Sequence, residues 1–559
     1  MAKSSENVTN KDGDRDVDII IDGVNVDTSD TSTQTDTPTE VPADTKEDKT
    51  IIKVGEGADV DLTVKDSNLT TGGNGIDIGV NLDDKDENKE TNVDLTLDNT
   101  KINLTENATA GINARDNSDV DITLKGDNTI DGSEAIDKVT EGGGHDISKD
   151  NVNIEGIRVG GEGASDSSDA SEGANTKLTI SGGVEKTGTA ETDTEETESP
   201  AGGSLTISDT TGGLVMADGS DVEITDGADV TIEETKTSGS TQAGRGVTQH
   251  GDLTISGDSS LKIDGVEDNA KQASHTGIGI ASWDDITVED GSTLEISDAT
   301  TGIYGHQGSD ASLTVEDSAL NIAGSSFGID YEGAGKDKEG NVLKSAGDIT
   351  FDNAEVDINI TPETPNAAGY GIAAHGDSNI TFKNGTEAEI KVTSENPDAG
   401  TWGIYNERGG TGNLTVNDST VDIDANRGIY AGFQKVEIAN NSVVTSKNTH
   451  QAMYALGGSD GKGLKLRVTG NSRYHLTGGT RGNWGIQATS ARGHEILVDD
   501  NGQLISDMEN SYTAVGLGKN AKLVVDNGTV LVRGKYDKAG LFAYGDQKQF
   551  PCGSNNDYP

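Results

Sequence analysis

The chain is poor in most of what an ordinary domain uses to hold itself together. It has one cysteine, Cys552, in 559 residues. No internal disulfide can form, which fits a cytosolic protein or an exported one that does without disulfides. Aromatic residues make up 4% of the chain, and none precedes residue 280. No apolar run approaches the roughly 18 residues of a membrane-spanning helix. Positive charge is scarce, with 42 Lys and Arg against 98 Asp and Glu, a net charge of −56. That balance excludes nucleic acid as a partner, because phosphate recognition needs basic surface. It leaves solubility, mutual repulsion or the capture of divalent cations as uses for the acid.

Hydrophobic residues amount to 31%, and low hydrophobicity with high charge is the composition of disordered chains. A regular pattern argues against disorder here. Gly followed by a branched aliphatic, and often an aromatic, recurs: Gly302-Ile303-Tyr304, Gly328-Ile329-Asp330, Gly371-Ile372-Ala373, Gly403-Ile404-Tyr405, Gly428-Ile429-Tyr430, Gly485-Ile486-Gln487 and Gly540-Leu541-Phe542. Weaker copies begin at Gly75, Gly111, Gly156, Gly246 and Gly277. The closest spacings are 26 residues from Gly302 to Gly328, 25 from Gly403 to Gly428 and 24 from Gly428 to Ala452.

Within one unit, Leu313-Thr314-Val315, Leu320-Asn321-Ile322 and Phe327-Gly328-Ile329 each alternate apolar with polar, the period of a half-buried strand. Asp-Ser, Asn-Gly and Gly-Gly pairs between the runs are turn chemistry. Three short strands per unit of about 25 residues predict an all-β fold. The expected form is a right-handed parallel β-helix of about fifteen rungs with loop insertions, since a single rung cannot bury its apolar face alone. A propeller blade needs about 40 residues and a sandwich needs hairpins, so both fit less well.

The expected organisation is a polar segment 1–50 with a possible first strand pair near 17–26, one β-helix over 51–550 and a tail at 551–559. The helix divides by composition into an acidic, aromatic-free part at 51–280 and an aromatic-containing part at 281–550. Residues 401–559 hold 16 Lys and Arg against 15 Asp and Glu, leaving 26 against 83 in the first 400. Insertions gather before and after the Gly-Ile strand, where loops carried by a rigid scaffold concentrate binding residues. The start has no apolar signal-peptide core and the end no wall-sorting motif, so the ends read as those of a fragment of a longer protein.

The outward position after Gly-Ile is aromatic at Tyr304, Tyr405, Tyr430 and Tyr454. The last three fall in consecutive units, which would stack them about 4.8 Å apart. With Trp402, Arg408 and Arg427 they form the candidate ligand-binding set, since exposed aromatic rows offer flat faces to sugar rings. The alternative is that they shield a strand edge. His250, His306 and His375 each follow a repeat glycine by four residues, but units at Gly277 and Gly328 appear between them, so they are not expected to be neighbours. Asp284-Asp285 is read as two strand residues facing opposite ways. The acidic run 82–90 could supply calcium ligands but matches no known loop spacing.

The rung pattern, clearest at 286–331 and 403–456, resembles the pectate-lyase-like parallel β-helix superfamily. Within it the chain is similar to the adhesive β-solenoid regions of Gram-positive bacterial surface proteins. The resemblance implies an extracellular or wall-attached, non-catalytic adhesin. It would act as a monomeric rod and bind glycans or host and matrix surface molecules. Enzymes of the same fold use calcium, carboxylates and an Arg or Lys base, or a set of Asp residues with Gly-His-Gly and Arg-Ile-Lys. Gly305-His306-Gln307-Gly308 imitates that only in part and no Arg-Ile-Lys is present, so no catalytic residue is assigned. A calcium-dependent polysaccharide lyase or hydrolase is the first alternative and a passive surface stalk the second. No cofactor is expected beyond the option of calcium, and no metal ligand is assigned.

Overall fold

A computed structural model describes residues 16–28, 49–81, 89–136, 153–160, 175–183, 202–236, 244–266, 277–309, 311–334, 345–396, 399–407, 410–457, 462–479, 483–490 and 492–543. The candidate Arg408, the acidic run 82–88, most of 183–203 and the tail 551–559 lie outside them. The described residues are almost all β, with 64% strand and 1% helix in long parallel sheets. No described helix is long and apolar enough to cross a membrane. The chain forms two compact units, one of Met1–Tyr331, Ala346–Asp348 and Asp352–Ile358, the other of Glu332–Ser345, Ile349–Phe351 and Asn359–Pro559.

In the first unit the apolar alternation becomes three parallel ladders. One aligns Val60, Val93, Val120, Leu178, Val222, Leu253, Ile286 and Leu313. A second aligns Leu69, Ile102, Ile130, Ile207, Ile232, Ile263, Ile296 and Ile322. The third carries the Gly-Ile phrase and aligns Ile76, Ile112, Ile157, Leu214, Val247, Ile280, Ile303 and Ile329. Every residue in the three columns is buried. Each therefore packs mainly on its own equivalents in neighbouring strands. The second unit repeats the scheme, for example with Ile372, Ile404, Ile429, Met453, Ile486 and Val515 in one column.

The glycine of the phrase is set by close approach. A Cβ built on Gly75, Gly111, Gly279 or Gly302 would lie 2.5–2.7 Å from the Cγ2 of Ile102, Ile130, Ile296 or Ile322. Real Cβ atoms do not come that near, so this glycine faces the interior beside its Ile. The two consecutive inward residues leave the positions on either side, one before Gly and one after Ile, both facing out. The aligned glycine between Gly246 and Gly302 is Gly279, not Gly277, because Ile280 is the residue in register with Val247 and Ile303.

Turns after the first ladder use Asx residues with positive φ, among them Asp66, Asn99, Asp258 and Asp317 in the first unit, a conformation that short polar side chains tolerate. Beside these turns runs a chain of hydroxyls. Ala228 N donates to Ser259 Oγ at 3.2 Å, Ser259 N to Ser292 Oγ at 3.2 Å and Ser292 N to Ser318 Oγ at 3.1 Å. The second unit repeats this with Ser419 N to Ser442 Oγ and Ser442 N to Ser472 Oγ. Each of these turn amides meets the next serine's hydroxyl, and Ala228 N and Ser292 N also reach the Thr225 and Glu289 carbonyls.

Candidate functional site

The second unit brings together five of the six candidate residues. Tyr405, Tyr430 and Tyr454 are in direct register and half-buried. Tyr405 and Tyr430 stack at 4.7 Å between ring centroids with 19° between planes. Tyr430 and Tyr454 meet edge to face at 5.6 Å. The position before the glycine forms a parallel column of Tyr370, Trp402, Arg427, Gln451 and Trp484. The two columns interlock: Tyr370 meets Tyr405 edge to face at 5.0 Å, and Trp402 meets Tyr430 likewise at 4.7 Å. Arg427 places its guanidinium 5.1 Å from the centre of the Trp402 ring.

Two expectations need correction. Trp402 is only 4% exposed, because Tyr430 and Arg427 cover it, so it is a foundation and not a contact surface. Tyr405 and Tyr430 also spend a ring face on each other, where open faces were expected. Tyr370, His375 and Glu407 join this face without having been singled out for it. The His375 ring lies 5.4 Å from that of Tyr405, and its Nδ1 is 3.8 Å from Glu407 Oε2. A hydrogen bond from His375, with its charge, holds the Glu407 carboxyl below its ordinary value against the opposing effect of burial.

The first unit has a different constellation. As expected, His250 and His306 are not neighbours, since the strand Gly277–Ser282 pairs between theirs. Counted from Gly279, Trp283 occupies the equivalent position and lies between them, stacked at 4.0 Å on His250 and 3.7 Å on His306. Arg245 lies 5.7 Å from the same indole, and Tyr304, only 6% exposed, meets His306 edge to face. Tyr304 is thus covered, unlike the tyrosines of the second unit.

Directly after Trp283, the carboxylates of Asp284 and Asp285 lie with that of Asp252, one oxygen of each within 4.8 Å of the others. Opposite-face alternation fails here because Asp284 and Asp285 follow the strand Gly277–Ser282 in a turn. Burial, then the neighbouring Asp252 charge, pushes the Asp284 carboxyl up to about 6. Burial and the charges of Asp221 and Asp285 raise Asp252 as well, and the Asp252 and Asp284 carboxyls hydrogen-bond each other. Asp285 is held by Ser312 N at 3.1 Å, and its backbone carbonyl accepts from Gln249 Nε2 at 2.5 Å. Three converging carboxyls offer oxygen ligands of the kind a hard divalent cation takes.

One Ser–His pair invites comparison with a nucleophile and its base. Ser490 Oγ lies 2.5 Å from His494 Nε2. His494 Nδ1, however, accepts the Leu464 backbone N–H at 3.0 Å. In the neutral ring the proton is therefore on Nε2 and is donated to Ser490, the opposite of what a general base requires.

Comparison with protein-family models, curated proteins and solved structures finds no match to this chain.

Proposed function

We propose that the protein is a non-catalytic, extracellular adhesin of the β-solenoid kind, built as a right-handed parallel β-helix of three-stranded rungs, about fifteen in all. Its second unit binds saccharides of a host or environmental surface. The observation that carries the reading is the pair of interlocked columns, with Tyr405, Tyr430 and Tyr454 half-buried in register at one-strand spacing beside Arg427. Amphipathic rings held rigidly at a regular interval suit a ligand that alternates apolar faces with hydroxyl groups. Support for the architecture comes from the three in-register ladders and the interior glycine column. In a glycan-array measurement the double variant Tyr405→Ala/Tyr430→Ala is expected to lose the wild-type signal. Unchanged binding sinks the site.

The aspartate cluster favours a second reading, in which a calcium ion supports a polysaccharide lyase or hydrolase. Asp252, Asp284 and Asp285 would hold the ion, which would neutralise charge on an acidic sugar. Terbium luminescence should then report binding that weakens as pH falls through about 6, where Asp284 takes up its proton, and that Asp284→Asn abolishes. Release of unsaturated uronides from a polyuronide panel would favour the lyase over the adhesin.

A further inference from the structure

We infer that the ligand of the second-unit face is a largely neutral saccharide carrying a single carboxylate, received by Arg427; this rests on the saccharide-binding reading above. Arg427 is half-buried, and its guanidinium is laid on the Trp402 ring. Among the described residues no carboxylate pairs with it. That is unusual in a chain with 98 acidic residues against 42 basic ones.

Three other cations on this unit are spent. Lys447 is 2.6 Å from Asp424, Lys435 is 2.7 Å from Glu437, and Arg467 is 2.9 Å from Asp499. The indole supports the guanidinium at 5.1 Å, and a guanidinium can grip a carboxylate with two hydrogen bonds. A half-buried Arg over an indole, paired with no carboxylate among the described residues, offers its N–H groups to an anion.

The column also says how many charges the ligand carries. Strand neighbours are about 4.8 Å apart. On either side of Arg427 in register are Trp402 and Gln451, both neutral, and Gln451 Nε2 is already donated to Gln487 Oε1. A polymer charged on every sugar would place its further carboxylates against tyrosine rings and amides, with no other cation among the described residues of the two columns to receive them. One acidic sugar among neutral ones meets one guanidinium among aromatic rings.

Titration calorimetry on the full chain tests this with four probes: lactose, 3′-sialyllactose, a glucuronyl-terminated trisaccharide and hexagalacturonate. The two single-carboxylate probes separate a nonulosonic acid from a hexuronic acid as the source. At least one is expected to bind about 10- to 100-fold tighter than lactose, the range of a charge-assisted pair. Hexagalacturonate should gain nothing beyond the statistical effect of its several carboxylates. Arg427→Gln should close the gap between acidic probe and lactose, and Arg427→Lys should restore part of it. Equal wild-type affinity for lactose and both acidic probes overturns the inference without any variant having to fold. If Tyr430→Ala then abolishes that charge-blind binding, the face still binds saccharides and only the carboxylate assignment falls. If the wild type binds none of the four, both readings fall.

Discussion

Acidification should loosen the second unit through His494, and the size of the effect follows from its surroundings. The side chain is 1% exposed, with Nδ1 accepting from Leu464 N and Nε2 donating to Ser490 Oγ. Both nitrogens are committed in the neutral state, and a second proton would set an N–H against the Leu464 N–H. Burial, and after it the Arg492 charge, brings His494 down to about 4. In the unfolded chain an imidazole titrates near 6.5. As pH falls below about 6.5 the open state takes up a proton that the closed state refuses, so stability is lost until about pH 4 and then levels off. The total is about 3 kcal/mol, of which about 2 is lost by pH 5.

Because repeat arrays open locally, the readout should be local too. Hydrogen exchange of the Leu464 amide, corrected for its intrinsic rate, should lose about 2 kcal/mol of protection between pH 7 and pH 5. His494→Asn keeps an acceptor for Leu464 and removes the titration, so its protection should change little over that range. Equal losses in wild type and variant would refute the reasoning, since they would place the acid sensitivity elsewhere.

Gly111→Ala should destabilise the first unit by about 1–3 kcal/mol in denaturant melts, as overpacking does, because its Cβ would meet Ile130 Cγ2 at 2.5 Å and Gly156 O at 2.8 Å. Gly400→Ala, whose Cβ would meet nothing within 4 Å, is the matched control and should stay within about 0.5 kcal/mol of wild type. Tyr331 is fully buried and its hydroxyl has no hydrogen-bond partner among the described residues. Tyr331→Phe should therefore raise thermal stability by about 1 kcal/mol, and a loss would mean that the hydroxyl is satisfied by a bound water. Trp402→Ala should cost about 3 kcal/mol of stability, removing the support beneath Tyr430 and Arg427, where a purely exposed ligand contact would cost almost none.

The ladders were legible because alternation of Leu, Thr and Val against Asp and Asn is a direct record of which side of a strand is wet. The interior glycine was legible as a repeat, but its phase was not. Gly277-Ile278 and Gly279-Ile280 read equally well, and only the pairing with Val247 and Ile303 selects the second. That slip of two residues hid the Trp283 stack, which was there to be counted four residues after Gly279, as His250 follows Gly246. Asp284 and Asp285 were misread for another reason. Alternation holds within a strand, and nothing in the residues marked the strand's end at Ser282 before them. Burial of Trp402 and Tyr304 was out of reach of any pattern. Facing outward is a property of the local backbone, whereas being covered depends on side chains from neighbouring strands.

The serine chain beside the turns has a consequence for how such a protein can change length. Each hydroxyl serves the amide of the repeat before it. If the segment bearing Ser292 were excised whole, Ser318 would present the same atom to Ser259. Ser259 and Ser292 each receive an amide and supply one to the next serine. Chains built this way can lose or duplicate a unit at the level of the gene and still close every bond at the seam, so the reach of the molecule can evolve separately from its surface.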